Sequence, residues 1–215
     1  MLEHWTWPGR TWGDFATTPA AYPPVKEALL KEQNGLCCYC ESAISDQEGH
    51  QDSHIEHYEP QACNPGRTFD YTNMACSCNG GVDGDRHCGH KKGRKYDSAL
   101  FINPSMEASD NLFFYNVEGG IGPSEEASED QVKERVAFMI NTLNLDCPKL
   151  TGMRKAHGRG VVEMINGLME AEALDQLHEM AVFHLKPDEN NQRQAFFSLS
   201  RQLFGKIGRE VLAEE

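Results

Sequence analysis

The stretch Cys37-Cys38-Tyr39-Cys40, followed by Cys76-Ser77-Cys78 and His87-Cys88-Gly89-His90, decides how this chain is read. Seven of its eight cysteines fall between positions 37 and 88. Cys37 and Cys40 form a C-x-x-C pair at a tight knuckle after a helix-forming segment. Cys78 and Cys88 form a second pair across a Gly-rich loop. Zinc takes four thiolates tetrahedrally at about 2.3 Å, and sites closed in this way are structural. One ion would therefore clip together the ends of the segment between the pairs. A module this small has little core of its own, so metal binding supplies much of its folding free energy. Cys76 is an alternative to Cys78, and Cys38 to Cys37. Cys63 and Cys147 read as ordinary thiols.

Composition supports metal rather than disulfides. Met1-Leu2-Glu3-His4-Trp5 lacks a basic start followed by an apolar run, so no secretory signal is expected and the protein reads as cytoplasmic. Thiols stay reduced there. No run approaches the roughly 18 apolar residues that span a bilayer. With 39% hydrophobic and 25% charged residues, the 215-residue chain can build a core and is not wholly disordered. Its length suits one globular domain, or a small module with an appended helical region.

A net charge of -13 runs against a nucleic-acid partner, whose phosphates favour a basic surface. One segment departs from that average. Arg86-His87-Cys88-Gly89-His90-Lys91-Lys92-Gly93-Arg94-Lys95 holds five lysines and arginines and no acid. The acidic residues elsewhere, such as Glu125, Glu126, Glu129 and Asp130, read as solvated surface or as the complement of a basic partner.

Trp5, Trp7, Pro8, Gly9, Trp12 and Gly13 show no period and read as an arm. Val25 to Gln33 reads as a helix with Pro24 at its first position and Asn34-Gly35 as its stop. Asn64-Pro65-Gly66 and Asn79-Gly80-Gly81 mark turns. Leu112-Phe113-Phe114-Tyr115 reads as a short strand entering the Gly119-Gly120 turn. From Gln131 onward the pattern is helical: Val132, Val136, Met139, Ile140 and Leu143 recur at helical spacing until Asn144 and Pro148 interrupt. One amphipathic stretch is expected over about 159–185 and another over about 192–213. Met164, Met169 and Met180 read as core fillers.

Between the cysteine pairs lie His54-Ile55-Glu56-His57-Tyr58-Glu59-Pro60 and Tyr71-Thr72-Asn73. An acid-His pair, an Asn shortly before a cysteine and a His beside the last cysteine resemble the HNH (ββα-metal) endonuclease pattern. More closely, C-x-x-C-E, H-I-E-H, Y-x-N and H-C-G-x-K-K-G resemble the HNH nuclease subunit of Septu-type antiphage defence systems. Some retron defence systems carry similar subunits. The resemblance is strongest over Gly35 to Gly93 and continues weakly through Ile102-Asn103-Pro104 and Thr142-Leu143-Asn144-Leu145.

That resemblance implies an α+β fold, with a small zinc-stapled ββα-metal module embedded in a mainly helical chain. The expected divisions are an N-terminal arm and helix (1–34), the HNH module (35–100) and a helical C-terminal region (101–215) that offers a docking surface. It implies phosphodiester hydrolysis, on DNA more than RNA, with His57 as general base. Glu56 and His90 would bind a single Mg²⁺ or Mn²⁺, and Asn73 would fix the loop or polarise His57. Because Gly89 intervenes before His90, His87 is a rival ligand. His54 lies two residues before Glu56, on its face of an extended segment. Arg86, Lys91, Lys92, Arg94 and Lys95 would contact the phosphate backbone. The Septu likeness further implies an ATPase partner, while the lack of a spanning apolar run leads to the expectation of no membrane association. Two other readings stand beside this one. A non-enzymatic zinc module that binds nucleic acid or protein would keep the cysteines without needing His57. A toxin-like nuclease would be held by an inhibitor.

Overall fold

The computed structural model describes residues 9, 11–47, 50–82, 84–105, 109–125 and 127–213. Trp5, Trp7 and Pro8 of the arm, and Glu126, lie outside them. Helix α1 (Trp12–Ala16) opens on a capping box: the Thr11 hydroxyl accepts from the Asp14 N–H while the Asp14 carboxylate accepts from the Thr11 N–H. Helix α2 (Tyr22–Glu32) starts three residues earlier than its apolar stripe suggests, with Pro23 and Pro24 in the first turn, where a missing N–H costs no helical bond. Asn34 at φ 51° and Gly35 at φ 72° then turn the chain out of the helix.

A two-residue ribbon, β1 (Asp46–Gln47) with β2 (His50–Gln51), leads into the central hairpin. There β3 (Ser53–His57) runs antiparallel to β4 (Met74–Cys78), in a register that pairs Ser53 with Cys78 and His57 with Met74. The outer edge of β4 is closed by a side chain and a loop rather than a strand. Gln33 Oε1 accepts from the Cys76 N–H at 2.6 Å, while Gln33 Nε2 and the Cys38 N–H donate to the Cys76 carbonyl at 2.9 and 3.1 Å. The short helix α3 (Cys88–Lys92) follows and packs against β4.

Beyond it, β5 (Phe113–Tyr115) pairs with β6 (Ile121–Pro123), so the expected strand begins one residue after Leu112. Four helices complete the described chain: α4 (Asp130–Leu143), α5 (Pro148–Glu170), α6 (Leu174–Leu185) and α7 (Phe197–Ala213). Asn144 ends α4 in the left-handed conformation, as its position suggests. The stretch expected as one helix over about 159–185 is two, because the chain breaks after Glu170, with Glu172 at φ 53°. Gly205, at φ 54°, kinks α7.

Two apolar clusters form among the described residues. One gathers Phe15, Leu29, Ile55, Met74, Phe101, Val136, Leu143 and Leu150, so the cysteine region shares its core with α1, α2 and α4. The other is built from Val161, Leu177, Leu185, Phe204 and Val211 of α5, α6 and α7. Met180 packs on that second cluster, but Met164 and Met169 do not fill a core. The buried stripe of α5 continues through Ile165 and Leu168, which leaves the two methionines 45% and 53% exposed. The C-terminal helices are tied to the cysteine knuckle through Glu41. Its carboxylate accepts from the Ser198 N–H and hydroxyl at 2.9 and 2.5 Å, and its carbonyl accepts from the Phe196 N–H at 2.9 Å. Among the described residues no helix is long and apolar enough to cross a membrane.

Candidate metal centre and catalytic cleft

The strand register and the knuckle bring four sulfurs to one point. Cys78 is the last residue of β4, Cys88 the first of α3, and Cys37 and Cys40 stand on the loop after α2. Their Sγ atoms all lie within 4.8 Å of one another, with Cys37 to Cys88 at 3.9 Å and Cys40 to Cys78 at 3.7 Å. A tetrahedron with metal–sulfur bonds of about 2.3 Å has edges of about 3.8 Å, so the four fit zinc. The surroundings donate to sulfur. The Cys78 N–H points at Cys37 Sγ at 3.3 Å, and His87 Nδ1 lies 3.2 Å from Cys88 Sγ and 3.7 Å from Cys78 Sγ. Burial raises the Cys37 thiol, yet hydrogen bonds from Cys38, Cys40, Cys78 and Cys88 bring it well below its ordinary value. The alternatives fall elsewhere: Cys76 Sγ meets the Lys26 carbonyl, and Cys38 is outside the cluster. Cys63 is exposed and Cys147 buried away from it.

On β3, side chains alternate. Ile55 enters the core, while His54 and Glu56 share the face that α3 covers. His54 Nε2 is 3.5 Å from Glu56 Oε2, and the Lys92 ammonium holds Glu56 Oε1 at 2.5 Å. The same ammonium donates to the His57 carbonyl at 2.6 Å. Burial pushes the Glu56 carboxyl up, but His54 and Lys92 outweigh it and hold it below the ordinary carboxylate value. Glu56 is therefore ionised at neutral pH.

His57 ends β3 and is 7% exposed. Its Nε2 lies 2.8 Å from the Thr68 carbonyl, and its ring meets Trp12 edge to face at 4.5 Å. A carbonyl only accepts, so Nε2 carries the proton and Nδ1 keeps a lone pair. Among the described residues that nitrogen has one polar neighbour, Gln61 Nε2, at 3.4 Å. A cleft of about 420 Å³ opens here, lined by Glu56, His57, Gln61, Lys92, Gly93 and Arg94 among others. Burial lowers the His57 pKa and the charge on Lys92 lowers it further, against the Thr68 carbonyl and Glu56.

Asn73 does not touch the imidazole. It is 1% exposed; its Oδ1 accepts from the Glu59 N–H at 2.9 Å, and its Nδ2 donates to the carbonyls of Glu59 and Arg67 at 3.1 and 3.2 Å. It thus fixes the loop that carries Thr68, and Glu59 reinforces that loop by accepting from Asn64 and Arg67. His87 turns inward to the sulfurs, whereas His90 is exposed and stacks on His54 at 4.5 Å. Among the five cations expected to meet phosphate, Arg86, Lys91, Arg94 and Lys95 are exposed. Lys92 corrects that expectation: it is 1% exposed, with its charge committed to Glu56 and the His57 carbonyl. Sequence reasoning also passes over Thr68, Trp12 and Asn79, which carry no motif signal of their own.

Lys92→Met should cost about 3–5 kcal/mol, because it takes the ammonium away from the buried Glu56. Glu56 is depressed in the folded state, so the pair stabilises above the unfolded carboxylate pKa and its contribution is lost as pH falls through the folded one. Urea unfolding of the two proteins should accordingly differ most at neutral pH and converge in acid. A constant difference at all pH values would contradict the ion-pair account.

No protein-family model matches the chain. Over 134 residues it is 31% identical to a protein of Vibrio cholerae serotype O1 biovar El Tor named "Retron Vc95 putative HNH endonuclease", a match covering 61% of this chain and 62% of that protein. Over 102 residues it is 29% identical to "Septu protein PtuB" of Bacillus thuringiensis, covering 45% of this chain and 36% of that one. The chain thus spans less than two thirds of the length of either relative.

Proposed function

We propose that this chain, a relative of HNH-type nucleases of antiphage systems, is itself a metal-dependent HNH endonuclease that hydrolyses phosphodiester bonds, DNA in preference to RNA. The observation that carries the reading is His57: its Nε2 is held by the Thr68 carbonyl, so Nδ1 offers a lone pair to a cleft that Glu56 and Arg94 also line. The order strand, strand, helix in β3, β4 and α3, with a four-sulfur clamp at one end, is the scaffold a ββα-metal module needs. Residues 35–100 form that module in this reading. The thiol cluster holds structural zinc.

In the cleft, His57 Nδ1 takes a proton from the attacking water, and the Thr68 carbonyl keeps the ring oriented as it becomes a cation. Glu56, kept ionised by His54 and Lys92, and His90 are the protein groups for the divalent ion. Bound Mg²⁺ or Mn²⁺ supplies charge stabilisation at the phosphate and the departing oxygen. Exposed Arg86, Lys91, Arg94 and Lys95 attract the phosphate backbone. Asn73 acts through the loop it holds. The preference for DNA rests on the HNH resemblance.

The net charge of -13 suits a subunit whose basic partner completes the nucleic-acid path, and the Septu likeness supports an ATPase in that place. A cytoplasmic setting keeps the four thiols available to metal. The direct test incubates the complex co-expressed with a neighbouring ATPase with DNA and with total RNA, with and without Mg²⁺. DNA cleavage that chelation stops is the expected result. Cleavage of RNA alone would overturn the DNA preference, and cleavage indifferent to chelator would overturn the metal dependence.

The base also sets a pH profile. The neutral imidazole is the active form and its pKa is lowered, so the acid limb of kcat/KM should have its midpoint below the ordinary histidine value of about 6.5. A midpoint above that value would exclude His57 as the titrating base.

A further inference from the structure

Directly after β4, Asn79 contacts two imidazoles. Its Oδ1 is 3.1 Å from His54 Nδ1, and its backbone carbonyl is 2.5 Å from His90 Nδ1. Both contacts are to carbonyl oxygens, so each ring donates from Nδ1 and Nε2 is the nitrogen that can bind a metal once it carries no proton. The two rings lie nearly parallel, 6° apart. His54 Nε2 faces Glu56 Oε2, the oxygen that Lys92 leaves open. His90 Nε2 has no hydrogen-bond partner among the described residues.

Gly89 shows that space is kept at this point. A Cβ there would lie 2.6 Å from Glu56 Oε2 and 2.8 Å from His54 Nε2, so any other residue would fill the gap where these two donors meet. This accounts for the glycine that separates Cys88 from His90.

We infer that the divalent-ion site has three protein ligands, His54 Nε2, Glu56 Oε2 and His90 Nε2, with Asn79 as the residue that positions both imidazoles. The inference deepens the nuclease reading and rests on it. Among the described residues the four cysteines are the group whose ligand atoms already lie within 4.8 Å of one another, so binding an ion here requires the exposed His90 to shift toward His54 and Glu56. Outer partners that hold a ligating His in one tautomer change metal affinity by about 10–100-fold when removed. Two imidazoles also disfavour Mg²⁺, an ion of oxygen ligands, so Mn²⁺ should bind more tightly.

The test titrates Mn²⁺ into the purified, zinc-loaded chain and follows free Mn²⁺ by electron paramagnetic resonance, with melting temperature and zinc content as controls on folding. One Mn²⁺ site is expected, displaced only by excess Mg²⁺. His54→Ala and His54→Gln should each weaken it at least about tenfold, and Asn79→Ala about tenfold, while Asn79→Asp, which retains a side-chain acceptor for His54, keeps it. Unchanged affinity in the folded His54 variants, with loss in Glu56→Gln and His90→Ala, would overturn the three-ligand site and leave the nuclease reading standing. Wild-type protein that binds no Mn²⁺ would overturn both.

Discussion

Replacing His57 should lower phosphodiester cleavage by at least about 10²-fold, the lower end of what a positioned general base contributes. Alanine alone is a blunt probe. The ring packs on Trp12 and its Nε2 holds the Thr68 carbonyl, so His57→Ala also removes contacts that shape the loop. His57→Gln separates the two roles. A glutamine amide can place an N–H near the position of Nε2, but it carries no basic lone pair to take a proton from water. If His57 is the base, both variants lose cleavage and His57→Gln keeps nearly the wild-type melting temperature. If His57 only supports the loop, His57→Gln cuts well and His57→Ala does not. Zinc content should be unaffected in either, because the imidazole is not among the clustered ligands.

The cysteine clamp is legible in the sequence because its signal is local. A C-x-x-C pair fixes two ligands within one knuckle, and the second pair follows a Gly-rich loop that can turn back. What remained open, Cys76 or Cys78, is decided by pairing: Ser53 opposite Cys78 puts that residue at the end of β4, while Cys76 turns toward α2. That His54 and Glu56 share a face is legible for the same reason, since side chains two apart along a strand point the same way. Lys92 is not. In a run of cations a lysine reads as solvated, and only the approach of α3 to β3 shows that this one is enclosed by Glu56 and the His57 carbonyl. Thr68 acts through its backbone carbonyl, which every residue offers, so no residue type marks it, and Asn79, which meets His54 through its side chain and His90 through its backbone, sits in a stretch that reads only as a turn. The methionines of α5 mislead in the other direction. Hydrophobic character says that a residue can be buried, whereas the helical phase of Ile165 and Leu168 decides which face is.

Cys40→Ser should lose zinc and unfold the cysteine module, and its reach should extend past the module. Structural zinc contributes on the order of 10–16 kcal/mol of apparent binding free energy in small zinc domains. A whole domain's net stability is about 5–15 kcal/mol, so weakening one of four ligands threatens all of it. The geometry says where the loss travels. The clamp joins the knuckle to the end of β4 and the start of α3. Immediately after Cys40, Glu41 holds the start of α7 through Ser198 and Phe196. Freeing the knuckle therefore releases α7 as well as α3, and α3 carries His90 and Lys92. Calorimetry should show a large fall in melting temperature together with zinc loss by elemental analysis, and a strong chelator acting on the wild type should reproduce it. Cys63→Ser is the control: that thiol is exposed and outside the cluster, so the same substitution there should move neither reading. Equal melting temperatures for Cys40→Ser and wild type would mean that the four sulfurs meet without a metal to hold, and the clamp would have to be abandoned.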